Sequence, residues 1–361
     1  MRLLDLSLIL CLIIITMTTN IDRPTITYEN VVLLKGGADS FLSESNNASS
    51  IKLIPLVQDF SFNFDTKTED ILTLGDKFYS KRVNRYDVDV NLDVNVIETF
   101  GEMFSGFFSG NGVLEDLNQD CSFYFLIGKK KYYSDFSTAD ETINFGNAFI
   151  EDFNLSQSVN EFLKSKYTYS CSNVNAQQIV SNEITNPAIN LTGDQSQTTT
   201  TTLPDVQSLL EAQSDLQNDI FPSYNTNLSI SGINSEEVFL VKTEMIQNFS
   251  LSIPFGRKKI FSIGKKYPIK RRFVYNTEGS LSASFISSEF NLNGDKSNLK
   301  SFLQDNDSYV INLNFENGNL DTQQFQISGA RLSSNSQSAS LSQNLNSSFS
   351  FDFNIFDFRR L

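Results

Sequence analysis

From Tyr86 to Val96 the chain reads YDVDVNLDVNV. Val88, Val90, Leu92, Val94 and Val96 fall on one side, and Asp87, Asp89, Asn91, Asp93 and Asn95 on the other. Successive side chains of a strand point to opposite faces, so this pattern predicts a strand with one dry and one wet side. The same period of two recurs at Phe60, Phe62 and Phe64, and in Cys121–Ile127 and Tyr167–Cys171. Further on it returns at Phe249 and Leu251, then in Leu281–Phe285, Tyr309–Phe315 and Phe349–Ile355. Helical spacing is confined to Val206, Leu209, Leu210, Leu216 and Ile220, between Pro204, suited to a first helical turn, and Pro222, which ends it. Short helices are expected near Val113–Leu117 and Leu299–Leu303. The apolar run Leu8–Ile15 is too short to cross a bilayer. It is open to two readings: a secretory signal with Arg2 as a meagre basic head, or, the preferred one, a segment ahead of a true start at Met17. Residues 1–16 are set apart from the fold on either.

Two stretches of this pattern match each other without a gap. Asp59–Val83 lies over Asn248–Arg272 so that Phe60 meets Phe249, Gly75 meets Gly264, Lys77 meets Lys266, Lys81 meets Lys270 and Arg82 meets Arg271, all at an offset of 189. Near the ends of the two halves the offset falls to 182, with Ala148 on Ala330, Ile150 on Leu332, Tyr167 on Phe349 and Tyr169 on Phe351. The drop means seven fewer residues in the second set of loops. Two tandem copies of one unit are therefore expected. An N-terminal arm covers 17–50, the first copy 51–175, a Thr-rich insertion with one helix 176–225, and the second copy 226–361. The arm reads as a loose terminus or as a reach to a neighbouring subunit.

Composition agrees with a mainly β protein. Thirty-two Phe, no Trp and many Asn, Ser and Thr favour strands and turns, and 361 residues suffice for two domains with their own cores. The absence of His removes the commonest general base and neutral metal ligand, and three Cys make no cluster to replace it. No catalytic constellation stands out, no carboxylate pair suggests glycoside hydrolysis, and no cofactor is expected. The acids of Tyr86–Val96 alternate along one face, whereas a calcium loop wraps its oxygens around a centre. Cys121 and Cys171 read as buried thiols. A net charge of −14 argues against a groove that grips nucleic acid.

Charge is unevenly spread. Asn248–Arg272 carries Arg257, Lys258, Lys259, Lys265, Lys266, Lys270, Arg271 and Arg272 with no acid, a charge of +8, while its match Asp59–Val83 has five acids against four bases, a charge of −1. Such a run is either a solvated loop or a contact between subunits or rings that meets acids of the first copy.

Taken together, Leu74-Gly75, Lys81-Arg82, Val88–Val96 and Ala148–Ser158, echoed by Ile263-Gly264, Lys270–Arg272, Leu281–Phe285 and Ala330–Phe353, resemble the tail tube proteins of tailed bacteriophages. The apolar N-terminal segment, the Thr-rich insertion and the duplication depart from most single-domain members. The resemblance implies two β-sandwich or barrel-like tail tube domains, each with a short helix. It also implies subunits in stacked rings, here trimeric with pseudo-sixfold symmetry, around a conduit for DNA. The partners would be the chain itself, other tail proteins and DNA passing without specific binding, with no membrane. Its place would be the virion tail, assembled in the host cytoplasm. Asp87, Asp89, Asn91 and Asp93 of the first copy, with Asn276, Glu278, Ser280 and Ser282 of the second, would then line the lumen, because neither wet strand face carries a Lys or Arg that would hold phosphates. Behind them Val88, Val90, Leu92, Leu281 and Phe285 would fill the core. A distal tail or tube-initiating protein of the same fold, and a secreted β-sandwich adhesin, are the alternatives.

Overall fold

A computed structural model describes residues 31–36, 51–72, 80–99, 120–128, 139–180, 183–187, 199–203, 219–232, 238–241, 246–263, 268, 270–274, 277–286, 308–338 and 346–361. The strands are, in order, β1 (Val31–Gly36), β2 (Ile51–Leu53), β3 (Val57–Leu72), β4 (Ser80–Ile97), β5 (Cys121–Gly128), β6 (Ala139–Ser158) and β7 (Lys164–Cys171). Next come β8 (Asn173–Gln178), β9 (Glu183–Asn186), β10 (Thr199–Thr202), β11 (Thr226–Gly232), β12 (Val238–Val241) and β13 (Ile246–Pro254). The last are β14 (Arg257–Ile260), β15 (Lys270–Phe273), β16 (Glu278–Ile286), β17 (Tyr309–Glu316), β18 (Thr322–Ser338), β19 (Asn346–Asn354) and β20 (Phe358–Arg360). The protein is mainly β, and among the described residues the only helical turns are two 3-10 segments, Ser223–Asn225 and Ile355–Asp357.

One antiparallel layer runs through eight strands in the order β3-β4-β7-β6-β13-β16-β19-β18. Two smaller layers branch from it. β6 also pairs with β5 and β8, and β5 with β1, which pairs with β2. Likewise β18 pairs with β17 and β20, and β17 with β11, which pairs with β12. The long strands β6 and β18 serve two layers each, and each passes a register shift on the way, at Ile150/Asp152 and Leu332/Ser334. An extra residue there bends the strand and sharpens its twist, which lets one strand turn from one layer into the next.

The dry faces of these layers meet and stack their rings. Phe60 of β3 lies 4.7 Å from Phe125 of β5, and Phe123 of β5 lies 4.7 Å from Tyr169 of β7. In the second half Phe249 of β13 is 5.8 Å from Phe315 of β17, and Tyr309 is 5.4 Å from Phe351 of β19. Val90, Leu92, Val94, Leu251, Ile253 and Leu281 are fully buried beside them, as the alternation predicts. The expected core positions Val88 and Phe285 lie on strands whose side chains there fall outside the described residues.

Two expectations change. The arm is not loose at Val31–Gly36, because β1 pairs with both β2 and β5. The Thr-rich insertion contributes a strand, since β10 pairs with β9, and Ile184 and Leu203 close over Val32, Leu34, Tyr124 and Leu126 on the far side of β5. β-branched threonines suit a half-covered strand, and the apolar even positions of β5 need that cover. The helix expected from Pro204 falls outside the described residues up to position 218, as do the short helices near 113–117 and 299–303.

Candidate functional site

The eight-strand layer turns its other side outward as a polar surface. Register partners across a sheet share a face. One row runs Asp59, Asn95, Lys166, Asn154, Ser252, Ser280, Asp352 and Arg331 from edge to edge. A second consists of serines: Ser156, Ser250, Ser282, Ser350 and Ser334 are consecutive partners on β6, β13, β16, β19 and β18. Of the residues expected on a lumen, Asn91, Glu278, Ser280 and Ser282 are exposed here and Asp93 is half-buried. Asp87 and Asp89 belong to β4 by their backbone, while their side chains, and all of Asn276, lie outside the described residues.

The surface is not free of cations, because strands that sequence reasoning did not place beside β4 bring them. Lys166 lies 3.0 Å from the Asp93 carboxylate, which also accepts a 2.7 Å hydrogen bond from Thr168 Oγ1. Lys164 lies 3.1 Å from Glu161. Both lysines are thus occupied by acids. Asp59 adds a 3.2 Å hydrogen bond from Asn95 Nδ2, so the first-half part of the face is a lattice of paired polar groups.

The first and second halves join within this layer. β6 and β13 pair from Asp152↔Pro254 to Ser158↔Asn248. Beside that seam the β14–β15 hairpin lays two arginines on the first half. Arg271 Nη1 donates to Ser170 O at 3.1 Å and to Ser170 Oγ at 2.6 Å, and Nη2 donates to Ser172 Oγ at 3.0 Å. Arg257 Nε donates to Ile150 O at 2.9 Å. Their guanidinium carbons lie 5.1 Å and 5.2 Å from the centroid of the Phe149 ring, a distance at which the ring's negative face attracts a cation. Burial first, and then the like charge of Arg271, pull the Arg257 guanidinium down to about 10.

These two arginines were expected at a contact between subunits that meets acids. They sit inside one chain, on carbonyl and hydroxyl oxygens and an aromatic ring, with two acids of the first half, Asp120 and Glu151, acting on Arg271 and Arg257. Lys258 and Arg272 are exposed, Lys259 is half-buried, Lys270 is described by backbone only, and Lys265 and Lys266 lie outside the described residues. Alternation explains the split: in the pairs Arg257↔Phe273 and Lys259↔Arg271 the hairpin turns one face inward, and Lys258↔Arg272 takes the other. A run of like charges gives no sign of this, although the period of two through it does.

Both ends of the eight-strand layer are open. β3 pairs only with β4, and β18 beyond Leu332 only with β19, among the described residues. Along β3 the inward row is poorly covered: Phe62 keeps 36% of its surface exposed, whereas Leu251 at the matching place on β13 keeps 0%. Among the described residues no group of three or more His, Cys, Asp or Glu gathers as a metal would need, and no helix is long and apolar enough to cross a membrane.

No family model and no curated protein matches the chain. Its structural neighbours are tail tube and sheath-tube proteins. One is from the sheath-tube complex of the extracellular contractile injection system PVC, with 12% identity, 45% of this chain and 98% of that chain covered, and a TM-score of 0.30. Another is the SPP1 tail tube, with 13% identity, 43% and 81% covered, and a TM-score of 0.31. A third is from the anti-feeding prophage baseplate, with 9% identity, 44% and 97% covered, and a TM-score of 0.30.

Proposed function

We propose that this chain is a structural protein of a phage-type tail tube, made of two copies of one tube domain, whose rings stack around a channel for DNA. The observation that carries the reading is the continuous layer through β6 and β13, which joins the halves by strand pairing and leaves an open strand at each end. An open edge is a row of unmet donors and acceptors, and a ring of chains removes every edge at once.

The duplication is supported by the strand neighbours. β3-β4-β7-β6-β5-β1-β2 with β8 on β6 has the same succession as β13-β16-β19-β18-β17-β11-β12 with β20 on β18. Three register shifts recur at matching places: Val57/Asp59 with Ile246/Asn248, Cys121/Phe123 with Tyr309/Ile311, and Ile150/Asp152 with Leu332/Ser334. Bulges depend on local sequence, so three coincidences are poorly explained by a generic tendency of strands to pair.

If each half acts as one tube unit, three chains give a ring with pseudo-sixfold symmetry. The polar face would line the channel and its paired lysines would leave little free positive charge for phosphates. Lys258 and Arg272, exposed on the hairpin, would be available to the next ring or to other tail proteins. Negative-stain microscopy of the purified protein at high concentration and low salt tests this. Stacked rings with threefold or pseudo-sixfold averages are expected; a protein that stays monomeric under those conditions sinks the reading.

A further inference from the structure

The geometry points to a specific join between chains: Ser334–Ser338 of β18 in one chain pairs antiparallel with Ser61–Asp65 of β3 in the next, locked by Arg82 of the second chain against Asp352 of the first. This rests on the ring-forming reading above and adds to it which edges meet, in which register, and through which charges.

The template is the seam inside the chain. β6 offers β13 the segment Asp152–Ser156, with Asp152↔Pro254, Phe153↔Ile253, Asn154↔Ser252, Leu155↔Leu251 and Ser156↔Ser250. Position for position, the second half's β6 is β18, and the first half's β13 is β3; neither has a partner on that side among the described residues. Carrying the register across gives Ser334 with Asp65, Asn335 with Phe64, Ser336 with Asn63, Gln337 with Phe62 and Ser338 with Ser61. The backbone needed for this is in place, since β3 and β18 each keep the extended form and the bulge of their counterparts.

Burial and charge agree with an occupant on these edges. Phe62 is exposed and Phe60 and Phe64 are half-buried, while Phe249, Leu251 and Ile253 opposite β6 are buried. On the other edge Ser333, Ser334 and Ser336 are exposed, whereas their counterparts on β6, Glu151, Asp152 and Asn154, are half-buried. A second copy of the chain supplies what each edge lacks.

The outer join carries its charges on different residues from the inner one. At the seam Arg271 meets Ser170, and its register partner is Lys259. On β4 the place of Arg271 is held by Arg82, whose register partner is Asp70. On β19 the place of Ser170 is held by Asp352, whose register partner is Arg331, standing where β6 has Phe149. The seam inside the chain thus brings two cations to neutral oxygens and a ring, with Asp120 and Glu151 acting on them from the first half. The join between chains would bring an Asp70 and Arg82 pair to an Arg331 and Asp352 pair, a quartet with no net charge. Such complementarity favours the end-to-end contact over like edges meeting, because β3 against β3 lacks the Asp352 partner.

Cysteine pairs read the register directly. Cβ atoms of residues directly opposite lie within disulfide reach, and those four residues out of register do not. Under mild oxidation, in a Cys11→Ser background, Ser61→Cys/Ser338→Cys is expected to run mostly as covalent oligomers, Ser61→Cys/Ser334→Cys and each single variant as monomers. Arg82→Asp and Asp352→Arg should each raise the concentration needed for assembly about tenfold or more, and the double reversal should bring it back. Rings that form without the Ser61–Ser338 cross-link, or that link in the shifted register, overturn this join while leaving the ring reading intact. Cross-links without rescue by the double reversal remove the charge lock. Absence of any assembly by the unmodified chain overturns both.

Discussion

Arg271 of the second half lies with its guanidinium carbon 5.1 Å from the centroid of the Phe149 ring of the first, and its own exposure is 6%. The same side chain donates to both oxygens of Ser170 and to Ser172. The lateral join between halves is therefore made by strand pairing and by a buried cation held on oxygens and a ring. A guanidinium can do this because its flat face is weakly hydrated and its edge carries several donors, so stacking and hydrogen bonding do not compete.

Removing that cation should loosen the join. Arg271→Ala is expected to cost about 2–4 kcal/mol, since it strips three hydrogen bonds from buried oxygens and uncovers Phe149. Arg271→Lys should recover only part, lacking the fork that reaches two serines. Lys258→Ala, on the exposed face of the same hairpin, should stay within about 0.5 kcal/mol. Urea unfolding of the three variants checks this, and an Arg271→Ala midpoint equal to that of Lys258→Ala would contradict it.

A second test concerns a size exchange between the halves. Val90 faces Cys171 across β4 and β7, while at the matching places Gly279 faces Phe353 across β16 and β19. A Cβ on Gly279 would come 2.6 Å from the Phe353 ring and 3.1 Å from Ser252 O. Gly279→Ala is expected to destabilise by about 1–3 kcal/mol through overpacking. Adding Phe353→Cys, which restores the Cys171 arrangement, should make Gly279→Val less harmful than Gly279→Val alone. Gly256→Ala, where the nearest atom is 3.7 Å away, should be mild. Thermal unfolding that ranked Gly256→Ala as the worst of these would refute the packing argument.

Alkaline stability follows from buried acids of the weak kind. Burial pushes Cys121 from its ordinary 9.0 to about 11 and Tyr124 from 10.0 to about 12. It also raises Cys171, Tyr167 and Tyr169 well above their usual values. In each case the folded pKa exceeds the unfolded one, so the stabilisation is complete below pH 9 and is lost as pH rises through the folded values. Arg257 acts in the opposite sense, its folded value of about 10 lying below the ordinary 12.5, but it is one group against six, since burial raises Tyr309 as well. Stability measured by urea should stay flat to about pH 9 and fall steadily toward pH 12. Native Cys121 and Cys171 should also resist thiol reagents until the chain unfolds; rapid modification of either of these two in the folded protein at pH 8, read by peptide mapping so that Cys11 is counted apart, would speak against their burial.

The serine row offers a test of which side faces the channel. Ser282→Cys, replacing the middle residue of the row, should react with both small and bulky maleimides in the monomer. In assembled tubes a small reagent should still react and a protein-sized one should be excluded. Equal labelling by the bulky reagent before and after assembly would put this face on the outside.

Sequence alone was enough for the strands with a clean alternation and for their faces, but not for β6 and β18, where Asn, Ser and Gln interrupt the apolar positions. A period of two in Tyr86–Val96 or Phe349–Ile355 is a statement about which side chains meet water, and burial is decided locally once a strand forms. The matching offsets pointed to two like units for the same reason, since shared alternation and shared turn lengths are written along the chain. What required the tertiary structure was every contact between distant strands. Lys166 reaching Asp93, Ile184 and Leu203 closing over β5, and Arg271 turning from a supposed outer surface onto Phe149 all depend on which strands become neighbours. Hydrogen-bonded pairing is nearly the same for any two strands, so the choice falls to loops, bulges and side-chain fit summed over the whole sheet, and no single stretch of sequence contains that sum.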